Sequence, residues 1–264
     1  MSVNDLSRLR QQIRRLSEEV LLPRFKRVDR SFKDDGSIVT EADLSMQNAL
    51  QVMLRQYWPD VPLLGEEMAP ERQAALLDDG ESTVWILDPL DGTSNFAAGI
   101  PFFSVSLALI QSGRPILGLV YDPIRDECFT AAEGQGAWLN DALLSAADTG
   151  LPLARCTACV DFKRLQPGLA RRLAAAPPYS SQRSFGSVAL DWCWTAAGRV
   201  HLYLHGGQKL WDYAAGCLIL AEAGGHSATL AGEPMFQTSL EPRSAVAALS
   251  PGLFDEWQAY LGKP

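Results

Sequence analysis

Asp88 and Asp91 are the residues that most directly suggest chemistry in this chain. They stand three apart in Trp85-Ile86-Leu87-Asp88-Pro89-Leu90-Asp91-Gly92-Thr93-Ser94-Asn95-Phe96, where an apolar run that reads as a buried strand ends abruptly in carboxylates. Pro89 has no N–H to give a central ladder, so the chain is expected to turn directly after Asp88 and fold Asp91 back beside it. Two carboxylates and the Leu90 carbonyl then offer oxygen to hard cations such as Mg²⁺, which take oxygen ligands at about 2.0–2.1 Å. Gly92 lets the backbone approach a ligand closely. Thr93, Ser94 and Asn95 read as the first turn of a helix, whose unpaired N–H groups favour an anion. One short loop thus offers metal ligands and a phosphate seat together. The plainer alternative is an exposed Asx turn capping a helix.

Three further acidic segments could complete such a site. Glu66 and Glu67 follow a short apolar strand end, where a glutamate can bind a cation or hold a water, though helix first turns also attract acidic residues. Thr40 and Asp43 read as a capping pair, Thr-x-x-Asp in place of Thr-x-x-Glu; the functional alternative has Asp43 accepting a hydrogen bond from a hydroxyl such as that of Thr93. Asp212 opens Trp211-Asp212-Tyr213-Ala214-Ala215-Gly216, as a helix cap or as a further ligand, with small residues after it that permit close packing.

The elements that must position these residues follow from periodicity and punctuation. Leu6, Leu9, Ile13, Leu16 and Val20 have helical spacing over Leu6–Leu22, with Pro23 expected to stop the helix. Asp34-Asp35-Gly36 reads as a turn. Thr40 starts a helix to about Tyr57, Val61–Leu64 is a strand, and a further helix runs to about Leu77. Strands are expected over 83–87, 103–110, 116–121, 127–131 and 137–139. A domain boundary near 140–150 divides the chain into an N-terminal α+β domain, 1–145, and a C-terminal α/β domain, 146–264. In the second, strands at 155–160, 182–185 and 200–204 alternate with helices at 165–175, 187–197 and 211–223, and a last helix covers about 252–261.

The bulk numbers exclude several classes. With 264 residues, 47% apolar and 20% charged, the chain has an ordinary globular composition and can build a sizeable core. A net charge of −8 argues against a nucleic-acid surface and is compatible with carboxylates awaiting metal. Met1–Val20 lacks the apolar core of a secretory signal, and no apolar run is long enough to span a bilayer. Five irregularly spaced cysteines, including a lone Cys156-Thr-Ala-Cys159, read as buried free thiols in a reducing cytosol, so a cytoplasmic protein is expected.

Together the segments Asp34–Asp43, Gly65-Glu66-Glu67, Trp85–Phe96, Gly186–Leu190 and Trp211–Gly225 resemble, in order and spacing, the inositol monophosphatase-like family of Mg²⁺-dependent, lithium-sensitive sugar phosphatases. The resemblance covers nearly the whole chain, and Asp-Pro-Leu-Asp-Gly-Thr with Trp-Asp-x-Ala-Ala-Gly is a specific pair. It implies a layered αβαβα sugar-phosphatase fold, α+β or α/β in class, with the site between the two halves. It implies a homodimer that hydrolyses a small polyol or sugar phosphate, inositol monophosphate-like, by metal-activated water attack. By resemblance, Glu66, Asp88 and the Leu90 carbonyl bind the first Mg²⁺; Asp88, Asp91 and Asp212 bind a second; a third, weaker ion sits near Glu66, with Mn²⁺ as a substitute. Thr93, oriented by Asp43, and Glu66 position the water, and the Gly92 and Thr93 N–H groups hold phosphate oxygens. Lys33 stands about where the family has a basic residue. Asp91, the Gly186-Ser187-Val188 backbone and His205 border the alcohol part of the substrate. Inositol-phosphate enzymes commonly carry glutamate where this chain has His205, so its substrate is expected to differ; otherwise His205 packs in a loop beside Gly206-Gly207 and touches no ligand.

Other readings remain beside this one. A 3′-phosphoadenosine 5′-phosphate nucleotidase of the same superfamily would need an adenine site that the loop before Trp211 does not show. A covalent aspartyl phosphatase uses Asp-x-Asp, not Asp-x-x-Asp. His201, His205 and His226 lack a nucleophile motif. A regulatory or RNA-processing partner that keeps the fold without hydrolysis would usually lose a ligand, and Glu66, Asp88, Asp91, Thr93 and Asp212 are all present. No nucleic acid or membrane partner is expected.

Overall fold

The computed structural model describes residues 3–29, 31–32, 38–77, 83–146 and 149–262; Lys33 and the expected Asp34-Asp35-Gly36 turn lie outside them. Helix α1 (Val3–Leu16) passes into a wider π-type turn over Ser17–Leu21 and a 3-10 turn over Leu22–Arg24. The expected helix therefore forms but changes pitch at Ser17. Pro23 does not stop it; the proline enters the final turn near its start, where no N–H is required. A two-stranded ribbon, β1 (Ser31–Phe32) and β2 (Ile38–Val39), leads to α2 (Glu41–Tyr57). Then come β3 (Leu63–Gly65), α3 (Pro70–Leu77), β4 (Thr83–Asp91), α4 (Thr93–Ala98), β5 (Ser104–Gln111), β6 (Arg114–Asp122), β7 (Glu127–Ala132), β8 (Ala137–Leu139) and β9 (Ala142–Leu144). Strands β3 to β9 make one sheet in sequence order, antiparallel except for the parallel β3–β4 pair.

The second half forms β10 (Thr157–Asp161), α5 (Pro167–Ala175), β11 (Ser181–Arg183), α6 (Val188–Ala196), β12 (Leu202–Gln208), α7 (Leu210–Glu222), β13 (His226–Ala228), β14 (Arg243–Ala248) and α8 (Pro251–Leu261). The sheet order is β11-β10-β12-β14-β13, parallel among the first three and antiparallel thereafter. Strands β13 and β14 are not among the expected elements; in β14, Ala245, Ala247 and Ala248 belong to a residue type depleted in strands.

Strand alternation builds the layers. In β4, Trp85 and Leu87 face α1 and α2, where Leu9, Ile13, Met46 and Leu50 are fully buried. Val84 and Ile86 face the other way, onto α6 and α7. Those two helices also cover Tyr203, Ala245 and Ala247 of the second sheet, whose outer face takes Leu173 of α5 and Trp257 of α8. The result is the αβαβα stack. The sheets part between Leu144 and Thr157, and one hydrophobic cluster runs through both by way of α6 and α7. Helix α7 lies very close to β6: a Cβ on Gly118 would come within 2.8 Å of the Ala215 carbonyl oxygen. Gly216 in turn admits Trp192 of α6, which would lie 2.5 Å from an added Cβ. All five cysteines are free and buried, and among the described residues no helix is long and apolar enough to cross a membrane.

Candidate active site

The end of β4 is a bulge rather than a turn, which corrects the expectation that the chain leaves the strand after Asp88. Asp88 pairs with Ser106 and Asp91 with Ser104, so Pro89 and Leu90 together oppose the single Val105 of β5. Pro89 is tolerated because it lies beyond the last β3–β4 pair, Gly65 with Leu87, and inside the bulge. The extra residue resets the alternation. Leu90 turns into the α1–α2 core, and Asp91 comes to the same face as Asp88, toward α6 and α7. In a regular strand, carboxylates three apart would face opposite ways.

Each carboxylate is then placed by a neighbouring element. Asp88 is 2% exposed and accepts the Leu90 N–H at 3.0 Å. Asp91 meets the N-terminus of α6: Oδ1 accepts from Val188 N at 3.1 Å, while Oδ2 accepts from Ala189 N at 2.8 Å and from the Ser187 hydroxyl. Thus Asp91 caps a helix 97 residues further along. Asp212, partly buried in the first turn of α7, accepts the Lys209 N–H at 2.8 Å. That helix start is tied to β5 by Ser106 Oγ, which donates to Trp211 O at 3.1 Å. Glu66 follows β3, with its N–H on the Leu87 carbonyl at 3.0 Å; Gln73 Nε2 donates to the Gly65 and Glu66 carbonyls at 2.8 and 3.1 Å. Gly65 leaves room for the Gln47 side chain, whose Oε1 would lie 2.2 Å from an added Cβ and accepts the Glu67 N–H at 3.0 Å.

These four acids feel one another. Burial first, and then Glu66, Asp91 and Asp212, hold the Asp88 carboxyl well above the ordinary range. Burial, then Asp91 and Glu66, do the same to Asp212, with exposed Arg164 opposing. Asp91 is pushed up to about 6 by burial, against its bonds from Ser187, Ala189 and Val188. Two like charges 4 Å apart repel by about 4 kcal/mol at an effective dielectric near 20, so such a group holds protons or takes a cation. By type the donors fit a hard cation, being carboxylate and carbonyl oxygens throughout. Among the described residues, however, no three His, Cys, Asp or Glu side chains are gathered tightly enough to hold an ion as they stand.

Asp43 takes both roles that the sequence left open. Its Oδ2 accepts from Thr40 N and Oγ1 at 2.8 and 2.6 Å, closing the α2 cap, and its Oδ1 lies 2.9 Å from Thr93 Oγ1. The Leu90 carbonyl lies 3.0 Å from the same hydroxyl, which has one proton for the two acceptors. Burial raises the Asp43 carboxyl, and the hydrogen bonds from Thr40 and Thr93 pull it back. Gly92 has φ 94°, and an added Cβ would meet the Phe102 and Gly186 carbonyls at 3.1 and 3.2 Å, so glycine alone turns the chain into α4 without strain. Gly186 and Ser187 therefore border the loop that links β4 to α4. Asn95 joins the two, donating to Phe102 O at 2.8 Å and Phe185 O at 2.7 Å.

His205 is turned into its own sheet. It lies on β12, not in a loop, and is 4% exposed. Its Nδ1 accepts the Gly207 N–H at 3.1 Å, so Nε2 carries the proton toward Asp161 Oδ2, 3.2 Å away. Ser104, Ser106 and Asp161 were not singled out from the sequence, and Ser187 was named for its backbone rather than for its hydroxyl on Asp91. Ser104 and Ser106, polar on an apolar strand and facing one way, were the signal available.

The inositol monophosphatase family model matches residues 6–260. The chain belongs to that family. It is 41% identical over 199 residues to the Nus factor SuhB of Pasteurella multocida, spanning 74% of this chain and 73% of that protein. It is 31% identical over 230 residues to the inositol-1-monophosphatase of Bacillus subtilis, spanning 84% of each. An IMPase of Thermotoga maritima superposes with a TM-score of 0.82 at 28% identity, over 98% of this chain and 100% of that one.

Proposed function

We propose that this protein is a Mg²⁺-dependent phosphomonoesterase acting on a small polyol or sugar phosphate in the cytoplasm, as a homodimer. The observation that supports it most is the meeting of Glu66 after β3, Asp88 and Asp91 on β4 and Asp212 on α7, with Asp88 feeling the other three. Glu66, Asp88 and the Leu90 carbonyl would hold one ion, and Asp88, Asp91 and Asp212 a second, with a third near Glu66. When bound, such ions neutralise phosphate charge, favour ionisation of water and stabilise the leaving alkoxide. The protein supplies the rest. Thr93 donates its proton to Asp43 and keeps a lone pair for the attacking water, whose proton passes to Glu66. The N–H groups of Gly92 and Thr93 orient the phosphate oxygens.

Phosphate release from inositol, glycerol, sugar and nucleotide monophosphates, with Mg²⁺ or with chelator, tests this reading. Turnover is expected with Mg²⁺ only, and lower with Li⁺. Equal turnover in chelator would overturn the metal requirement. The relatives named Nus factor favour a second reading, a regulatory role carried by the same fold; an inactive protein that still binds a cation at Asp88 and Asp212 would support it.

A further inference from the structure

The hydrolytic chemistry leaves one polar pair unused. Asp161 ends β10 and His205 lies opposite it on the parallel strand β12. His205 spends both ring nitrogens inside the protein, one on Gly207 and one on Asp161. A buried imidazole that gives its only proton to a carboxylate fixes where that carboxylate points. We propose that Asp161, held by His205, reads the alcohol half of the substrate by accepting hydrogen bonds from its adjacent hydroxyls; this rests on the phosphomonoesterase reading of the site.

Position supports it. Strands β10 and β12 run parallel, and in such sheets ligands collect beyond the carboxyl ends of the strands. Asp161 and His205 lie toward that end of their strands. The same end of β12 runs into Lys209 and the start of α7, four residues after His205, or at most about 13 Å at 3.3 Å per residue. Arg164, in the turn after Asp161, draws down the carboxyls of both Asp161 and Asp212, so both acids lie within its electrostatic reach. The Asp161 side chain is 33% exposed, unlike its buried partner.

Chemistry defines the ligand. The Asp161 carboxyl is held below the ordinary range, by His205 first, and stays an anion. Its Oδ1 accepts Lys163 N at 2.8 Å, which caps the Phe162–Arg164 turn. A carboxylate offers about four acceptor sites, so the cap and His205 leave about two for a pair of hydroxyl donors. An anionic acceptor rejects a second phosphate. The class that fits is a phosphate ester with neighbouring hydroxyls.

The test uses the full chain with Mg²⁺ and two substrates: inositol 1-phosphate, and phenyl phosphate, which lacks hydroxyls. Asp161→Asn is expected to raise KM for the inositol ester about tenfold or more and to leave kcat/KM for phenyl phosphate within about twofold. His205→Gln, whose amide can still donate, is expected to keep more of this discrimination than His205→Ala. Equal losses on both substrates would make the pair structural and overturn the proposal. So would an unchanged preference in Asp161→Asn, or a preference removed by Arg164→Gln instead. A wild-type protein that hydrolyses neither ester overturns the phosphatase reading itself, which separates the two failures.

Discussion

At the start of α2 and at the start of α7, an aspartate in the third helical position accepts the N–H of the residue before the helix, at 2.8 Å in both cases. Locally Asp43 and Asp212 are the same device. They differ in what surrounds them. Asp43 is met by donors, the hydroxyls of Thr40 and Thr93, which oppose the effect of burial. Asp212 is met by Asp91 and Glu66, which add to it. A cap is written in the sequence within four residues, whereas the task of the capping carboxylate is set by strands and helices remote in the chain. Asp43 becomes a holder of a hydroxyl, and Asp212 a member of a repelling group that only protons or a cation can quiet.

The contrast breaks most directly through activity. Asp212→Asn is expected to lower phosphate release at least ~100-fold, and Asp43→Asn, which keeps an oxygen for Thr93, only ~10-fold. Equal losses in steady-state assays would erase the distinction. Titration comes next. In chelator, the folded-state pKa values of Asp88, Asp91 and Asp212 lie above those of the unfolded chain, so the folded protein binds more protons. Stability should then fall as pH rises from about 4 through the Asp91 value of about 6, by a few kcal/mol. Mg²⁺ should flatten that decline; parallel melting profiles with and without the ion would contradict it. A smaller effect separates the caps themselves. Asp43→Asn should cost about 1 kcal/mol, while Asp212→Asn in chelator should leave the melting temperature unchanged or higher, because it removes a repelled charge. Smallest of all, Lys209→Ala should shift stability by less than ~0.5 kcal/mol, since only its backbone N–H serves the cap.

What the sequence could show follows the same line between local and remote. Helices α2, α6 and α7 were legible from their starts and apolar runs, because capping and periodicity act over a few residues. The layered stack was legible only through the resemblance, since no local signal orders β10, β12 and β14. The Asp88–Asp91 pair was visible as a motif, but its mechanism was misread: Pro89 suggested a turn, and the register against Ser104 and Ser106 is what turns both side chains one way. The Asp161 partner of His205, 44 residues earlier, could not be found by spacing. Asp91 as a cap for α6 was out of reach for the same reason.

The contact between Gly118 and the Ala215 carbonyl has a consequence for how such a molecule can work. A helix seated main chain against main chain has no side-chain cushion beneath it, so it can neither tilt nor slip by small steps. Asp212 rides on that helix and Asp88 on the neighbouring sheet, and the gap between them is set like the jaws of a fixed gauge. Any widening between the two acids must then draw its movement from parts that rest on side chains rather than from the seat of that helix on the sheet.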